Sequence, residues 1–187
     1  RDSGITIQNN DVSNVNGCYS CTDVDPHDNG GIVVDADITA PFLAWWGTSS
    51  YDGVLIKNNT VTNVGRTGIY FYDRSTGNLT LDANALSTNV SIVGNTLQHI
   101  DSDGIELWGA KYPLLQANVV GYAGAKTIQG FSAEPSAAGL WPVHTIGAVV
   151  QFNEVYGTRT QNDVDGQGFD NDGLAIGSVF EHNYSHD

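Results

Sequence analysis

The residues best suited to move protons lie in short Gly-led segments that align with one another. These are Gly31-Ile-Val-Val-Asp35, Gly68-Ile-Tyr-Phe-Tyr72, Gly104-Ile-Glu-Leu-Trp108 and Gly168-Phe-Asp-Asn-Asp172. Side chains alternate between the two faces of an extended strand, so Ile32, Ile69, Ile105 and Phe169, with their i+2 neighbours, are expected inward. Two outward rows remain: Val33, Tyr70, Glu106, Asp170 and Asp35, Tyr72, Trp108, Asp172. Aromatic faces stack on sugar C–H surfaces, while carboxylates accept from hydroxyls or transfer protons. Neighbouring strands lie about 4.8 Å apart, which places Glu106 and Asp170 roughly 10 Å apart at Cα. Side-chain reach can bring such carboxyls to the roughly 6.5–9.5 Å separation of inverting glycosidases. Asp170 and Asp172, on one segment, are about 6.7 Å apart by strand rise. The candidate catalytic residues are therefore Asp170, Asp172 and Glu106, with Trp108, Tyr70, Tyr72 and Asp35 as substrate contacts and Asp103 as a secondary acid. One intervening rung has two candidates, Gly130-Phe-Ser-Ala-Glu134 and Gly139-Leu-Trp-Pro-Val143.

Elements that could hold these rows in register are visible as an internal repeat. Six segments place an apolar residue three positions before an Asn: Ile7 and Asn10, Ile56 and Asn59, Ile92 and Asn95, Leu115 and Asn118, Val150 and Asn153, Phe180 and Asn183. The intervals between successive Asn residues run from 23 to 49, so insertions of varying length hang on a constant unit. The local period is two, β-branched residues crowd the strands, and no amphipathic helix of ten or more residues is evident. An Asn at each corner has a physical reason, since its amide both donates and accepts toward the equivalent Asn of the next unit. Ile5 already lies in a strand and Asp187 follows a corner, so the sequence is expected to be a slice of a longer solenoid, with part of its active site elsewhere.

Composition narrows the partners. The 187 residues are 40% hydrophobic, enough for a continuous core, and carry 7 Lys+Arg against 21 Asp+Glu, a formal charge of −14. That balance argues against nucleic acid and anionic membrane surfaces, which recruit cationic patches. It also disfavours a polyuronate unless cations bridge the two negative surfaces. Cys18 and Cys21 lack a second pair of ligands, so a local disulfide or two inert thiols are expected rather than zinc. Asp163-Val-Asp165-Gly166 and Asp170-Asn-Asp172-Gly173 have alternate carboxylates as calcium loops do, without the terminal Glu of a complete loop. Calcium at Asp163 and Asp165 is the one cofactor the sequence offers. His99, His144, His182 and His186 are expected as hydrogen-bonding surface residues.

The Asn corner followed by a Gly-led strand resembles the right-handed parallel β-helix repeats of the pectate-lyase-like superfamily. The stretches Asp165-Gly-Gln-Gly-Phe-Asp-Asn-Asp-Gly173 and Phe180-Glu-His-Asn-Tyr-Ser-His-Asp187 resemble its bacterial secreted carbohydrate-active members. The resemblance implies an all-β chain: one right-handed parallel β-helix domain of about six coils over residues 1–187, secreted or at the cell surface. Its implied function is action on a polysaccharide, foremost as a glycoside hydrolase with paired carboxylates on an outward sheet face. Two alternatives stay open. Asp25-Pro-His-Asp28 matches a tetrapeptide of mannuronan C5-epimerases, which implies proton transfer by His27 and Asp25 on a uronate, as an epimerase or lyase. Against that, no Tyr-Gly-aromatic precedes the motif, and cations to meet a uronate are scarce. The other alternative is a solenoid that binds carbohydrate or serves as a stalk without catalysis.

Overall fold

The structure is a computed structural model that describes residues 2–17, 29–35, 50–73, 81–124, 137–160 and 165–187. Among the described residues every regular element is a β-strand, and all pairing is parallel. The first sheet runs β1 (Asp2–Gln8), β4 (Tyr51–Lys57), β7 (Ser87–Val93), β11 (Leu114–Gln116), β14 (Val149–Gln151) and β16 (Val179–Glu181), with β10 (Ala110–Lys111) also on β7. The second is β2 (Asp11–Val15), β5 (Thr60–Val64), β8 (Thr96–Ile100), β12 (Val119–Ala123), β15 (Glu154–Tyr156) and β17 (Tyr184–His186). The third is β3 (Gly30–Asp35), β6 (Thr67–Tyr72), β9 (Ile105–Trp108) and β13 (Leu140–Val143).

The expected all-β class and parallel pairing hold. The expectation of a single right-handed solenoid of about six coils is corrected to three separate parallel sheets. A sequence repeat reports which residues recur; it does not encode which sheet takes each strand. The three sheets share one core. Ile56, Ile92, Leu115 and Val150 from the first, Val61, Leu97, Val120 and Val155 from the second, and Ile69, Ile105 and Leu140 from the third form one buried cluster. Each is a period-two position, so β-branched and leucine side chains stack in rows where neighbouring strands repeat about every 4.8 Å.

The Asn residues set the register where the chain passes from the first sheet to the second. Asn59 Oδ1 accepts from the backbone N–H of Asn10 at 3.0 Å and from its Nδ2 at 2.9 Å. Asn59 Nδ2 in turn donates to the Ile7 carbonyl and to Asn95 Oδ1, both at 3.0 Å. The pattern continues through Asn118, Asn153 and Asn183. Only a side chain that donates and accepts at one carbon's reach closes this ladder. The residue before each Asn takes a left-handed backbone: Asn9, Asn58, Gly94, Ala117, Phe152 and His182, with φ between 53° and 67°. That sharp corner frees backbone groups which the Asn amides then satisfy. Tight stacking also explains the leading Gly of the third-sheet strands, because a Cβ on Gly104 would overlap the carbonyl oxygen of Gly139.

Candidate active site

The third sheet positions the candidate residues, and its register builds the two rows. Val33, Tyr70, Glu106 and Trp141 pair in one row, and Asp35, Tyr72, Trp108 and Val143 in the other. The intervening rung is thus Gly139-Leu-Trp-Pro-Val143; the competing segment Gly130–Glu134 lies outside the described residues. Residues 168–172 form a single bridge, Phe169 on Leu140, rather than the expected strand. Asp170 N–H donates to the Leu140 carbonyl at 3.2 Å and Asp172 N–H to that of Pro142 at 3.3 Å, which carries both rows on to these two acids.

Alternation places the rows on the face away from the main core, as expected, but that face is largely covered. Tyr70 and Glu106 are 0% exposed and Tyr72 only 5%, so the expected substrate contacts Tyr70 and Tyr72 and the expected acid Glu106 present little or no surface to a sugar. Period two fixes the side of a sheet, not what lies over it. The rings instead pack along the rows: Tyr70 to Tyr72 at 5.5 Å between centroids, and Tyr72 to Trp108 at 5.0 Å. Asp35 is half-buried at the far end of its row.

At the near end the face opens into a cavity of about 260 Å³. It is lined by the acidic residues Asp103, Asp165, Asp170 and Asp172, by Trp108 and Trp141, and by Ala138. Asp170 and Asp172 both line it, whereas Glu106, fully buried within its row, does not. Asp103 takes the place foreseen for Glu106. It is buried, and its Oδ1 accepts from Ala138 N–H and Trp141 Nε1–H, each at 3.1 Å. Its Oδ2 accepts from the Ser102 hydroxyl at 3.0 Å and faces the buried Arg66 guanidinium at 3.9 Å. Arg66 also donates to the Ser102 hydroxyl.

Asp170 is half-buried, and its carboxyl is held above the usual Asp range, first by burial and then by the charge of Asp172, with a smaller push from Asp165. Hydrogen bonds from the Asn171 backbone and from Gln167 oppose the rise. Gln167 Nε2 donates to Asp170 Oδ2 at 3.2 Å and reaches Asp165 Oδ1 at 3.4 Å. Asp172 Oδ1 accepts from Gly173 N–H at 2.6 Å. A carboxyl with a raised pKa beside other acids, with tryptophans lining the same cavity, holds its proton more tightly than an ordinary Asp, as a general acid for a sugar leaving group must.

Sequence reasoning missed Trp141, which lines the cavity, and His144, which packs on a residue that does. Trp141 was visible only within an ambiguous rung. His144, expected at the surface, is 4% exposed and lies with its ring 5.0 Å from that of Trp108. Burial pushes its pKa down, against the charge of Asp172. Its place directly after the Gly-led strand was the available signal. The other described histidines pack on rings of the outer surface: His99 on Tyr122, His182 on Phe152, His186 on Tyr156 and Tyr184. Asp25, His27, Asp163, Cys18 and Cys21 lie outside the described residues, so the epimerase motif, the cysteine pair and half of the calcium pair have no described geometry. Among the described residues no three His, Cys, Asp or Glu side chains are grouped to hold a metal ion.

No family model matches the chain. Over 159 residues it is 32% identical to the lacto-N-biosidase of Bifidobacterium longum subsp. longum, an alignment covering 74% of this chain and 10% of that protein. Two crystal structures of the GH136 lacto-N-biosidase from Eubacterium ramulus, native and selenomethionine-derivatised, match 98% of this chain and 33% of theirs. Each gives a TM-score of 0.66, at 21% and 22% identity, a likeness of fold. The chain therefore spans about a tenth of the first relative and a third of the second. These relatives overturn the resemblance to the pectate-lyase-like superfamily. Asn corners and Gly-led strands answer the demands of stacked parallel strands, and so they mark an architecture rather than a family. In sequence and in fold, this chain is similar to part of the lacto-N-biosidases.

Proposed function

We propose that residues 1–187 form one domain carrying acid-base machinery of a glycoside hydrolase that acts on glycan chains, exported from the cell or held at its surface. The observation that carries this is the raised Asp170 carboxyl facing Asp172 and Asp165 in a cavity walled by Trp108 and Trp141. Asp170, holding its proton, donates it to the glycosidic oxygen as the bond to the anomeric carbon breaks. The Asp172 carboxylate serves as its partner, meeting the positive charge that develops on the sugar ring or activating the attacking water. Trp108 and Trp141 supply apolar walls for the ring C–H faces. The concentration of carboxylates opposes a uronate, whose own charge would need a cation in the cavity. Similarity to lacto-N-biosidases supports lacto-N-biose units as the glycan to try first.

A panel of neutral and uronate glycans, with an aryl lacto-N-bioside included, tests this when reducing ends and unsaturated-uronate absorbance are read separately. New reducing ends or aryl release, without unsaturated products, are expected. Unsaturated uronates would favour a lyase, and binding without cleavage would favour a non-catalytic solenoid.

A further inference from the structure

Trp108 is held from both sides along its row. Tyr72 stands on the preceding rung and His144 follows the next, each with its ring centroid 5.0 Å away and tilted by 53°. Three observations mark the His144 end of this clamp. Its backbone is left-handed, φ 51°, as at the corners of His99 and His182. Its ring is buried, yet Nδ1 has no hydrogen-bond partner among the described residues. Its backbone N–H donates to the Gly173 carbonyl at 3.0 Å, tying it to the turn that carries Asp172. In the same left-handed column Gly109 stands opposite, with φ 84°. Asn, Gly and His all suit this backbone, so the corner does not require an imidazole. What the ring does touch is the indole that walls the cavity.

We propose that His144 is a positioning residue of this site, whose ring fixes the Trp108 indole against the cavity and so sets how tightly a sugar is held. The proposal rests on the glycan-hydrolase reading for its ligand, but the orientation of Trp108 can be read without one. His144→Asn keeps a residue that tolerates the left-handed backbone and removes the ring. Its near-UV circular dichroism is expected to change in the tryptophan region while the unfolding temperature stays close to that of the parent. With the aryl lacto-N-bioside, or the best glycan of the panel, KM is expected to rise roughly 3- to 10-fold, the scale of one lost aromatic pair. The expected change in kcat is less than about twofold. His144→Phe, which restores a ring, is expected to recover KM. In a double-mutant cycle with Trp108→Phe, the two positions are expected to be coupled rather than additive.

Unchanged tryptophan ellipticity in His144→Asn overturns the proposal, whether or not the protein cleaves glycans. A fall in kcat at constant KM also overturns it, as would strict additivity with Trp108→Phe. His144→Gly is the second ring-less variant. If neither it nor His144→Asn folds, the ring belongs to the core rather than to the site, and the proposal fails. If the protein cleaves no glycan but the ellipticity changes, the hydrolase reading fails alone.

Discussion

The Trp141 indole N–H donates to the buried Asp103 carboxylate at 3.1 Å, so one wall of the cavity is fixed by an acid that lines the same cavity. Asp103 also holds Ala138 N–H and the Ser102 hydroxyl, and it faces Arg66. Removing one partner of a buried network leaves donors without acceptors, at about 1–3 kcal/mol for each group. Asp103→Ala is expected to lower stability by about 3 kcal/mol and to loosen Trp141. Urea unfolding with tryptophan fluorescence measures both.

The Asn ladder gives a second expectation. Asn95 Oδ1 accepts from the backbone N–H and the Nδ2 of Asn59, while its Nδ2 reaches the Ile56 carbonyl and Asn118 Oδ1. Asn95→Ala strands several of these groups in a fully buried corner, so a loss of about 2–5 kcal/mol is expected. Asn95→Asp should cost at least as much, since a carboxylate cannot donate to the Ile56 carbonyl. Equilibrium unfolding of both variants checks the ladder, and near-parental stability for Asn95→Ala would count against it.

This ladder and the Gly-led rows were legible in the sequence because each is imposed by a requirement that few residues meet. Only Asn can both donate and accept at the corner, and only Gly fits where Gly104 passes Gly139. Register then followed, so Asp170 and Asp172 were placed at the ends of the correct rows. Burial of Tyr70 and Glu106 was not legible, because alternation looks the same under water and under a covering layer. His144 was missed for a similar reason: its place after a Gly-led strand marks a corner, but not which way the corner turns its ring. The division into three sheets depends on long-range pairing, which no local period records.

Asp170 ties stability to pH with a definite sign. Its folded-state pKa is raised, so the folded protein holds this proton more tightly than the unfolded chain does. The contribution of Asp170 to stability is therefore full below the ordinary carboxylate value and is lost as pH rises through the raised one. Asp170→Asn is expected to match the parent in acid and to be the more stable of the two at neutral pH. Urea midpoints across the acid range test this, and a parent that gains on the variant with rising pH would reverse the assignment.

Trp108→Ala removes an apolar wall without touching a carboxyl. A rise in KM of roughly tenfold is expected, with a smaller fall in kcat, because stacking acts on bound sugar in ground and transition states alike. Steady-state kinetics on one glycan separate the two constants. A fall confined to kcat would point instead to a role in the chemical step.

The most direct test of the central claim is the pH dependence of kcat for glycan cleavage in the parent and in Asp170→Asn. For the parent, activity is expected to fall on the alkaline side as Asp170 loses its proton, at a pH above the ordinary Asp value. For Asp170→Asn, a loss of about 10²–10⁴ in kcat is expected, the usual contribution of a general acid, together with disappearance of that limb. Parental kcat with an unchanged alkaline limb in Asp170→Asn would contradict the assignment of Asp170 as the acid.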